Sequence, residues 1–263
     1  MIQLTPSFKE KVWGSTHLEP FFRNSEQKIG EVWFEGVANL PLLIKFLFTT
    51  DKLSVQVHPS DEYARNHHGS CGKTEMWHVL RADPGAKIAA GFRETISPKR
   101  LRDASFSGEI ESLLQWFDAA PGDTFFIPAG TVHAIGAGLT LCEIQQHSDI
   151  TYRLYDYGRP RELHLDHAAE VSNLDPLDPR SAIRGEILAS CPYFTTSKLH
   201  ISNPATHIPC PNSTNLLVVI DGSAKLGGHR VAAGEVWYLE AAVREIEVSG
   251  NATFLLASPS IQY

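Results

Sequence analysis

The sequence has few cysteines and no long apolar run. Its four cysteines are spread over 263 residues without a CxxC pair, at Cys71, Cys142, Cys191 and Cys210. This spacing is typical of free thiols in a reducing cytoplasm and argues against a disulfide framework. The N-terminus lacks the apolar core of a signal peptide, and the most apolar early run, NLPLLIKFLFTT, is interrupted by Lys45. That run is interpreted as a buried strand, and we expect a cytoplasmic protein with no membrane partner.

An excess of basic residues is also missing. The chain has 23 Lys and Arg against 30 Asp and Glu, a net charge of −7. Nucleic-acid binders usually present a basic surface, so we expect no nucleic-acid partner. A local basic pocket for an anionic small molecule is compatible with this balance. With 43% hydrophobic residues, the chain can form one large domain or two smaller ones.

The chain is rich in short β-type segments. Runs of Val, Ile, Leu, Phe and Thr recur between Gly, Pro, Asp and Asn turn signals. The clearest are LPLLIKFLFTT, LSVQVHP, EMWHVLRA, KIAAGF, DTFFIPAG, LTLCEIQQ, LLVVIDG and EVWYLEA. Many short strands with such turns predict a mainly β protein, either a sandwich or a jelly-roll barrel.

One segment, SPKRLRDASFSGEIESLLQWF, departs from this pattern. It opens with Ser97 and Pro98, a favourable helix start. Farther on, apolar side chains recur at i, i+3, i+4 and i+7, at Ile110, Leu113, Leu114 and Phe117. We expect one or two short helices between Ser97 and Phe117, forming a cap over the barrel.

Two Asp-Pro steps in SNLDPLDPR indicate a linker. We place the catalytic domain at residues 1–173, the linker at 174–181 and a smaller β domain at 182–263. In the smaller domain, VVIDGSAKLGGHRVAAGEVWYLEA places Gly234 before a strand, as PGDTFFIPAG does with Gly122. The second domain is therefore predicted to be a degenerate copy of the first barrel that has lost its site.

Polar residues on two strands and one loop suggest a metal site. In LSVQVHPSDEY, strand alternation places Gln56 and His58 on one face, and in GKTEMWHVL it places Lys73 and Glu75 on one face. If the inner faces of these strands meet, the four residues converge. His133, in PGDTFFIPAGTVHAIGAG, would then supply a further ligand.

Two imidazoles, one carboxylate and one amide oxygen suit a borderline divalent ion. Zinc is the first choice, with iron, manganese or cobalt possible on ligand type. The uncharged Gln56 leaves the site net positive, which favours a Lewis acid acting on a carbonyl or hydroxyl. Most of the twelve histidines have no ligand-like spacing, and the pair His67 and His68 in ARNHHGSCGKTE has no explanation from the sequence.

These motifs resemble a known family. GDTFFIPAGTVHAI resembles the second signature of the cupin superfamily, which implies a double-stranded β-helix with a metal-binding His133. More narrowly, the chain is similar to type I mannose-6-phosphate isomerases of the short bacterial kind. The motifs, between about Val12 and Asn173, are LIKFL, LSVQVHPSDEYA, GKTEMWHVL, PGDTFFIPAGTVHAIGAG and EIQQHSDITYRLYDYGRPRELHLDHA.

The resemblance implies one zinc ion per chain, held by Gln56, His58, Glu75 and His133, the same set that strand alternation brought together. It implies interconversion of mannose 6-phosphate and fructose 6-phosphate, a proton transfer between C2 and C1 through a cis-enediol.

Four further site residues are predicted, some by resemblance to the family and some by proximity to the metal ligands. Lys73 would contact the sugar oxygens, and we expect desolvation and a nearby cation to lower its pKa. The family supplies an acidic residue and an arginine where this chain has Asp149 and Arg153. Asp149 is the candidate for proton transfer or for orienting Arg153, and Arg153 for binding the enediolate or phosphate. Arg161 is a second phosphate candidate.

The chain also departs from the family. Nothing in it is long enough for the helical insertion of longer members, and GEVWFEG near Glu31 matches the family's Gly-Glu-Ser-Trp-Glu only loosely. Alternatives are therefore an isomerase for another phosphosugar or a non-enzymatic metal-containing cupin that binds sugar phosphates. An iron-dependent dioxygenase is less favoured because of Gln56 and the basic residues. The sequence predicts no oligomeric state.

Overall fold

The computed structural model describes residues 1–179, 186–202, 206–209 and 214–260. These residues form four short helices: α1 (Asp61–His68), α2 (Pro98–Ser107), α3 (Ile110–Leu113) and α4 (Leu165–Val171). They form nineteen strands, of which the first twelve are β1 (Ile2–Gln3), β2 (Thr5–Ser15), β3 (Ile29–Glu35), β4 (Leu42–Thr49), β5 (Val55–Val57), β6 (Glu75–Ala82), β7 (Lys87–Phe92), β8 (Leu114–Asp118), β9 (Thr124–Ile127), β10 (His133–Ile135), β11 (Leu139–Gln146) and β12 (Tyr152–Tyr155). The others are β13 (Ile187–Ser190), β14 (Phe194–Ile201), β15 (Thr206–Pro209), β16 (Asn215–Leu226), β17 (His229–Ala232), β18 (Val236–Leu239) and β19 (Glu245–Pro259).

The strands form three antiparallel sheets. A six-stranded sheet has the order β2-β3-β4-β11-β6-β9, and a five-stranded sheet has the order β12-β5-β10-β7-β8. An eight-stranded sheet has the order β1-β18-β16-β19-β14-β13, with β15 paired to β19 and β17 to β16. This mainly β architecture confirms the predicted fold class, a cupin jelly roll.

Strand β4 shows how the layers are built. All eight of its residues are buried, because both faces of its sheet are covered. One set of alternating side chains, including Ile44 and Phe46, packs toward the eight-stranded sheet in a core with Phe194 and Leu216. The opposite set includes Leu47, which packs in the space between the six- and five-stranded sheets. The same alternation turns Lys45 into that inner space.

The helices cover the outer face of the five-stranded sheet. Leu101 and Ala104 of α2, with Ile110 of α3, belong to one buried cluster with Val55 and Val57 of β5. Helix α2 starts as predicted, since the Ser97 side chain accepts a hydrogen bond from the backbone N–H of Arg100 and Pro98 occupies the first turn. Among the described residues, no helix is both long and apolar enough to cross a bilayer.

The helical stripe predicted up to Phe117 is wrong at its C-terminal end. Helix α3 stops at Leu113, and Leu114 takes an extended conformation with φ −69° and ψ 147°. The chain continues as β8, which pairs with β7. Leu114 still points into the buried cluster, but as an edge-strand residue, because sheet pairing supplies hydrogen bonds that another helical turn would have supplied.

The two-domain division remains a proposal. Within the described part of the proposed linker, 174–179, the backbone N–H of Phe126 donates to Pro179 O at 2.9 Å, so this segment is held against the six-stranded sheet. Strand β1, at the other end of the chain, pairs with β18 of the eight-stranded sheet. Cys71, Cys142 and Cys191 are free thiols, and Cys210 lies outside the described residues.

Candidate metal centre and active site

Strand register brings three of the predicted residues into one row. On the five-stranded sheet, Gln56 of β5 lies directly opposite His133 of β10 on one side and Arg153 of β12 on the other. Neighbours in such a row project to the same face of a sheet. This explains why residues separated by up to about a hundred positions in the sequence share one wall of the barrel interior.

The facing six-stranded sheet contributes a second row. Glu143 of β11 pairs with Lys45 of β4 and with Trp77 of β6. The buried Glu143 carboxylate lies 2.9 Å from Lys45 Nζ and accepts a hydrogen bond from Trp77 Nε1 at 2.9 Å. The Trp77 ring in turn lies 5.2 Å from the His133 ring, so the two rows meet across the barrel.

A buried His–Glu–His cluster lies where the rows meet. Glu75 Oε1 lies 3.6 Å from His58 Nε2 and 3.5 Å from His133 Nε2. All three side chains are at most 1% exposed, and one ligand atom from each lies within 4.8 Å of the others. The structure thus brings together three of the four predicted metal ligands with their donor atoms convergent.

The hydrogen bonds of the cluster prepare it for a cation. His58 Nδ1 lies 2.8 Å from Ile150 O and His133 Nδ1 lies 2.8 Å from Thr131 O. A carbonyl only accepts, so both Nδ1 atoms carry the proton and both Nε2 atoms present lone pairs toward Glu75. Burial lowers the pKa of His58 to about 4 and also lowers that of His133.

Three electron-rich groups therefore face one another. Burial opposes ionisation of Glu75, but the charge of the neighbouring Lys73 outweighs burial and holds the pKa of that carboxyl well below its usual range. Neither His58 Nε2 nor Glu75 Oε1 has a hydrogen-bond partner among the described residues. Buried donors and acceptors are normally satisfied, so this arrangement fits a divalent cation bound by two imidazoles and a carboxylate.

Gln56 borders the cluster. Its Nε2 lies 3.3 Å from His133 Nε2, and its Oε1 accepts a hydrogen bond from Ser54 Oγ at 3.4 Å. Rotation of the terminal amide by about 180° exchanges the oxygen and nitrogen positions. That rotation would present Oε1 to the lone-pair side of His133, as the predicted fourth ligand requires.

Lys73 is buried beside the cluster, as predicted, but its pKa does not move as expected. Its Nζ lies 3.0 Å from Glu75 Oε2 and 4.0 Å from Glu143 Oε1. Burial alone lowers the pKa of Lys73, but the two carboxylates outweigh burial and raise it. The prediction that the pKa of Lys73 is lowered is therefore wrong. The two carboxylates raise it and keep Lys73 charged.

A cavity of about 360 Å³ lies beside the cluster, next to Gln56 and Lys73. The predicted Gln56, Lys73, Asp149, Arg153 and Arg161 all line it. Asp149 is exposed there. Arg153 is held by its Nη1, which donates to Glu162 O at 2.7 Å, while its buried Nε has no partner among the described residues.

Arg161 is fixed by a buried carboxylate. Its Nε and Nη2 donate to the two Asp156 oxygens at 2.5 and 2.6 Å, and Asp156 is 3% exposed. A bidentate pair of this kind orients a guanidinium rigidly. The remaining donors of Arg161 are therefore presented from a fixed position on the cavity wall.

Several charged residues of this cavity were not predicted from the sequence. Lys11, Glu31, Lys45 and Glu143 also line it, and Lys45 Nζ lies 4.6 Å from the centroid of the Trp33 ring. The available signal was a single charge inside an apolar strand, Lys45 in LPLLIKFLFTT and Glu143 in LTLCEIQQ. A charge on a strand with two covered faces must point into a polar interior.

A cupin barrel with a buried His–Glu–His cluster beside a charged cavity places the chain in the class of cupins with a metal-type ligand set. No protein-family model matches the chain. The mannose-6-phosphate isomerase ManA of Bacillus subtilis is 34% identical to it over 271 residues, covering 84% of this chain and 85% of the relative. The chain belongs to the mannose-6-phosphate isomerase family.

A second relative and two solved structures are also similar to this chain. The mannose-6-phosphate isomerase of Streptococcus mutans is 42% identical over 175 residues, covering 62% of this chain and 55% of that protein. The crystal structure of the mannose 6-phosphate isomerase from Bacillus subtilis matches with a TM-score of 0.85 at 28% identity, covering 97% of this chain and 98% of that one. A zinc-bound mannose 6-phosphate isomerase structure matches with a TM-score of 0.79 at 17% identity, which shows the shared fold. The alternatives of a non-enzymatic cupin and of a dioxygenase are not supported by these relatives.

Proposed function

We propose that the protein is a zinc-dependent aldose–ketose isomerase that interconverts mannose 6-phosphate and fructose 6-phosphate through a cis-enediol. One observation carries the proposal: two imidazole lone pairs and the Glu75 carboxylate converge, without hydrogen-bond partners for His58 Nε2 and Glu75 Oε1, beside a cation-lined cavity. Gln56, His58, Glu75 and His133 would hold one zinc ion. The named activity of relatives up to 42% identical supports the substrate.

The reaction moves one carbon-bound proton between C2 and C1 of the sugar and one hydroxyl proton between O2 and O1, and negative charge develops on O1 and O2. A bound zinc ion would supply Lewis-acid polarisation of these oxygens. Lys73, held charged by two carboxylates, is positioned to donate to the same oxygens. Donors that meet charge only as it develops stabilise the transition state more than the substrate.

Three other cavity residues are proposed to have separate roles in the reaction. Asp149, an exposed carboxylate on the cavity wall, is proposed to transfer the proton. Arg153 is proposed to stabilise the enediolate, because its Nε is buried at the cavity without a partner among the described residues. Arg161, fixed by Asp156, is proposed to bind the substrate phosphate with its free donors.

The decisive experiment combines metal analysis with turnover. The protein is purified without added metal, its zinc, iron and manganese are measured, and conversion of mannose 6-phosphate is assayed before and after chelation. We expect near-stoichiometric zinc and chelator-sensitive conversion. Bound metal without conversion would redirect the assignment to another phosphosugar.

Variants assign the ligands. Glu75→Gln and His133→Ala should each lose metal and activity. The control His200→Ala should lose neither, because His200 lies outside the cluster and is hydrogen-bonded to Thr253. If Glu75→Gln and His133→Ala both retain metal and turnover, the assigned centre is wrong.

A further inference from the structure

A second group of histidines lies outside the active-site cavity, where α1 meets α4. His67 and His68 end α1, and His167 lies in α4. Their ring centroids form a triangle with sides of 6.5 Å (His67 to His68), 5.9 Å (His67 to His167) and 6.1 Å (His68 to His167). We call these three residues the surface triad. None of them lines the 360 Å³ cavity.

Two triad imidazoles are held by one nitrogen and present the other. His67 Nδ1 lies 3.0 Å from the carbonyl oxygen of Tyr63, so Nδ1 carries the proton. The Tyr63 hydroxyl donates to Glu170 Oε2 at 2.6 Å and therefore accepts from His167 Nδ1 at 2.8 Å. In both rings Nε2 is left with a lone pair and no hydrogen-bond partner among the described residues.

His68 follows the same pattern with its nitrogens exchanged, in the tautomer in which Nε2 donates to the Tyr152 hydroxyl. Its Nε2 lies 2.6 Å from the Tyr152 hydroxyl, and its Nδ1 has no hydrogen-bond partner in the described part of the chain. Protein metal sites commonly hold each imidazole in this way, with one nitrogen bound to a carbonyl, hydroxyl or carboxylate and the other directed at the ion. The three rings thus have the supporting contacts of ligands.

We propose that the surface triad binds one borderline divalent ion of the zinc type, separate from the buried centre. Three imidazoles plus water complete a tetrahedral zinc site. The rings of His58 and His133 in the buried cluster are 4.8 Å apart, so the triad sides must shorten by 1.1 to 1.7 Å, the differences from 5.9 and 6.5 Å. His67 and His68 are exposed and can turn by that amount. Bound metal would join α1 to α4, and affinity is weaker than at the buried centre because binding must order exposed side chains.

The test counts metal ions in the complete protein. Natural protein, H67Q, H167Q and the control H229Q are equilibrated with Zn²⁺ by dialysis, and bound zinc is measured by mass spectrometry of the metal. His229 is exposed and lies on β17, outside the triad. We expect two zinc ions per chain in the natural protein and in H229Q, and the loss of one of the two in H67Q and in H167Q.

Other outcomes separate this proposal from the isomerase. One ion in the natural protein and none in H67Q would support the triad and reject the buried centre. One ion in both the natural protein and H67Q, or two ions in H67Q and H167Q, would overturn the triad. The thermal midpoint provides a second readout, since zinc should raise it further in the natural protein than in either triad variant, and circular dichroism checks that the variants fold.

Discussion

At the scale of single residues, the centre is a chain of alternating charges in a barrel interior. Lys45, Glu143, Lys73 and Glu75 follow one another at contacts of 2.9, 4.0 and 3.0 Å, all buried. Each buried charge is tolerated because it has an opposite neighbour. In this chain the neighbouring carboxylates raise the pKa of Lys73 against the effect of burial, and Lys73 in turn lowers the pKa of Glu75.

Removing one member should destabilise the fold. Glu143→Gln leaves Lys45 buried without its 2.9 Å partner, and we expect the free energy of unfolding to fall by about 3 kcal/mol. The matched change Glu111→Gln removes a pair with the half-exposed Lys52 and should cost about 0.5 kcal/mol. Urea unfolding of both variants measures the difference. Equal losses would contradict the role given to burial.

The absence of a charge on Gln56 is predicted to affect the turnover rate more than the metal occupancy. Gln56→Glu supplies a carboxylate oxygen, so metal occupancy should hold, but the added negative charge opposes the charge that develops on the sugar oxygens. We expect kcat to fall about tenfold or more. Metal content and turnover are measured together, with Gln115→Glu, a charge change on β8 outside the cavity, as control. Metal loss as the main effect would refute the electrostatic explanation.

At the scale of elements, one turn occurs twice. The backbone N–H of Gly122 donates to Val79 O at 2.8 Å, and that of Gly234 donates to Val219 O at 2.9 Å. Both glycines have φ +94°. This supports the predicted second copy of the barrel motif. Glu75 lies four residues before Val79, and Asn215 lies four residues before Val219, so these two residues correspond. The second copy therefore has an amide at the position where the first copy has the carboxylate of the proposed metal site.

The two turns should differ in their tolerance of a side chain. At Gly122 an added Cβ meets nothing within 4 Å, so Gly122→Ala costs only backbone strain, about 1 kcal/mol. At Gly234 the Cβ would lie 2.4 Å from Phe21 O, a backbone atom, and we expect a loss of about 3 kcal/mol. Chemical unfolding of the two variants tests this, and an equal cost at both sites would show that the contact with Phe21 is easily relieved.

At the scale of the whole molecule, the outer face of the six-stranded sheet and the eight-stranded sheet line a second cavity of about 820 Å³, which is open to solvent. His78 of β6 and Lys198 of β14 face it from opposite sheets. His78 is 1% exposed, and its Nδ1 lies 2.8 Å from Thr124 Oγ1. Burial, and then Lys198, lower the pKa of His78 to about 4.

This histidine should make stability depend on pH. The folded pKa of about 4 lies below the unfolded value of 6.5, so the unfolded state binds more protons between these values. Stability is therefore lost as the pH falls from 6.5 toward 4. Between pH 7 and about pH 5 the contribution is about 2 kcal/mol. His78→Gln should remove it, giving a flatter pH profile of urea unfolding than the natural protein or His229→Gln. Parallel profiles would contradict the assignment to His78.

The sequence alone determined the local order of this protein. Alternation on short strands, the Ser97-Pro98 helix start and the turn glycines depend on neighbours in the chain, so they could be predicted, as could the placement of His58, Glu75 and His133 on strands or at their ends. The tertiary structure decided what depends on distant partners. Pairing with β7 places Leu114 in a strand, where the sequence predicted a helix. Packing on both faces of β4 places Lys45 in the barrel interior beside Glu143. It also set the pKa of Lys73, because the two carboxylates that raise it come from different positions on neighbouring strands, and their field outweighs the desolvation that the sequence led us to expect.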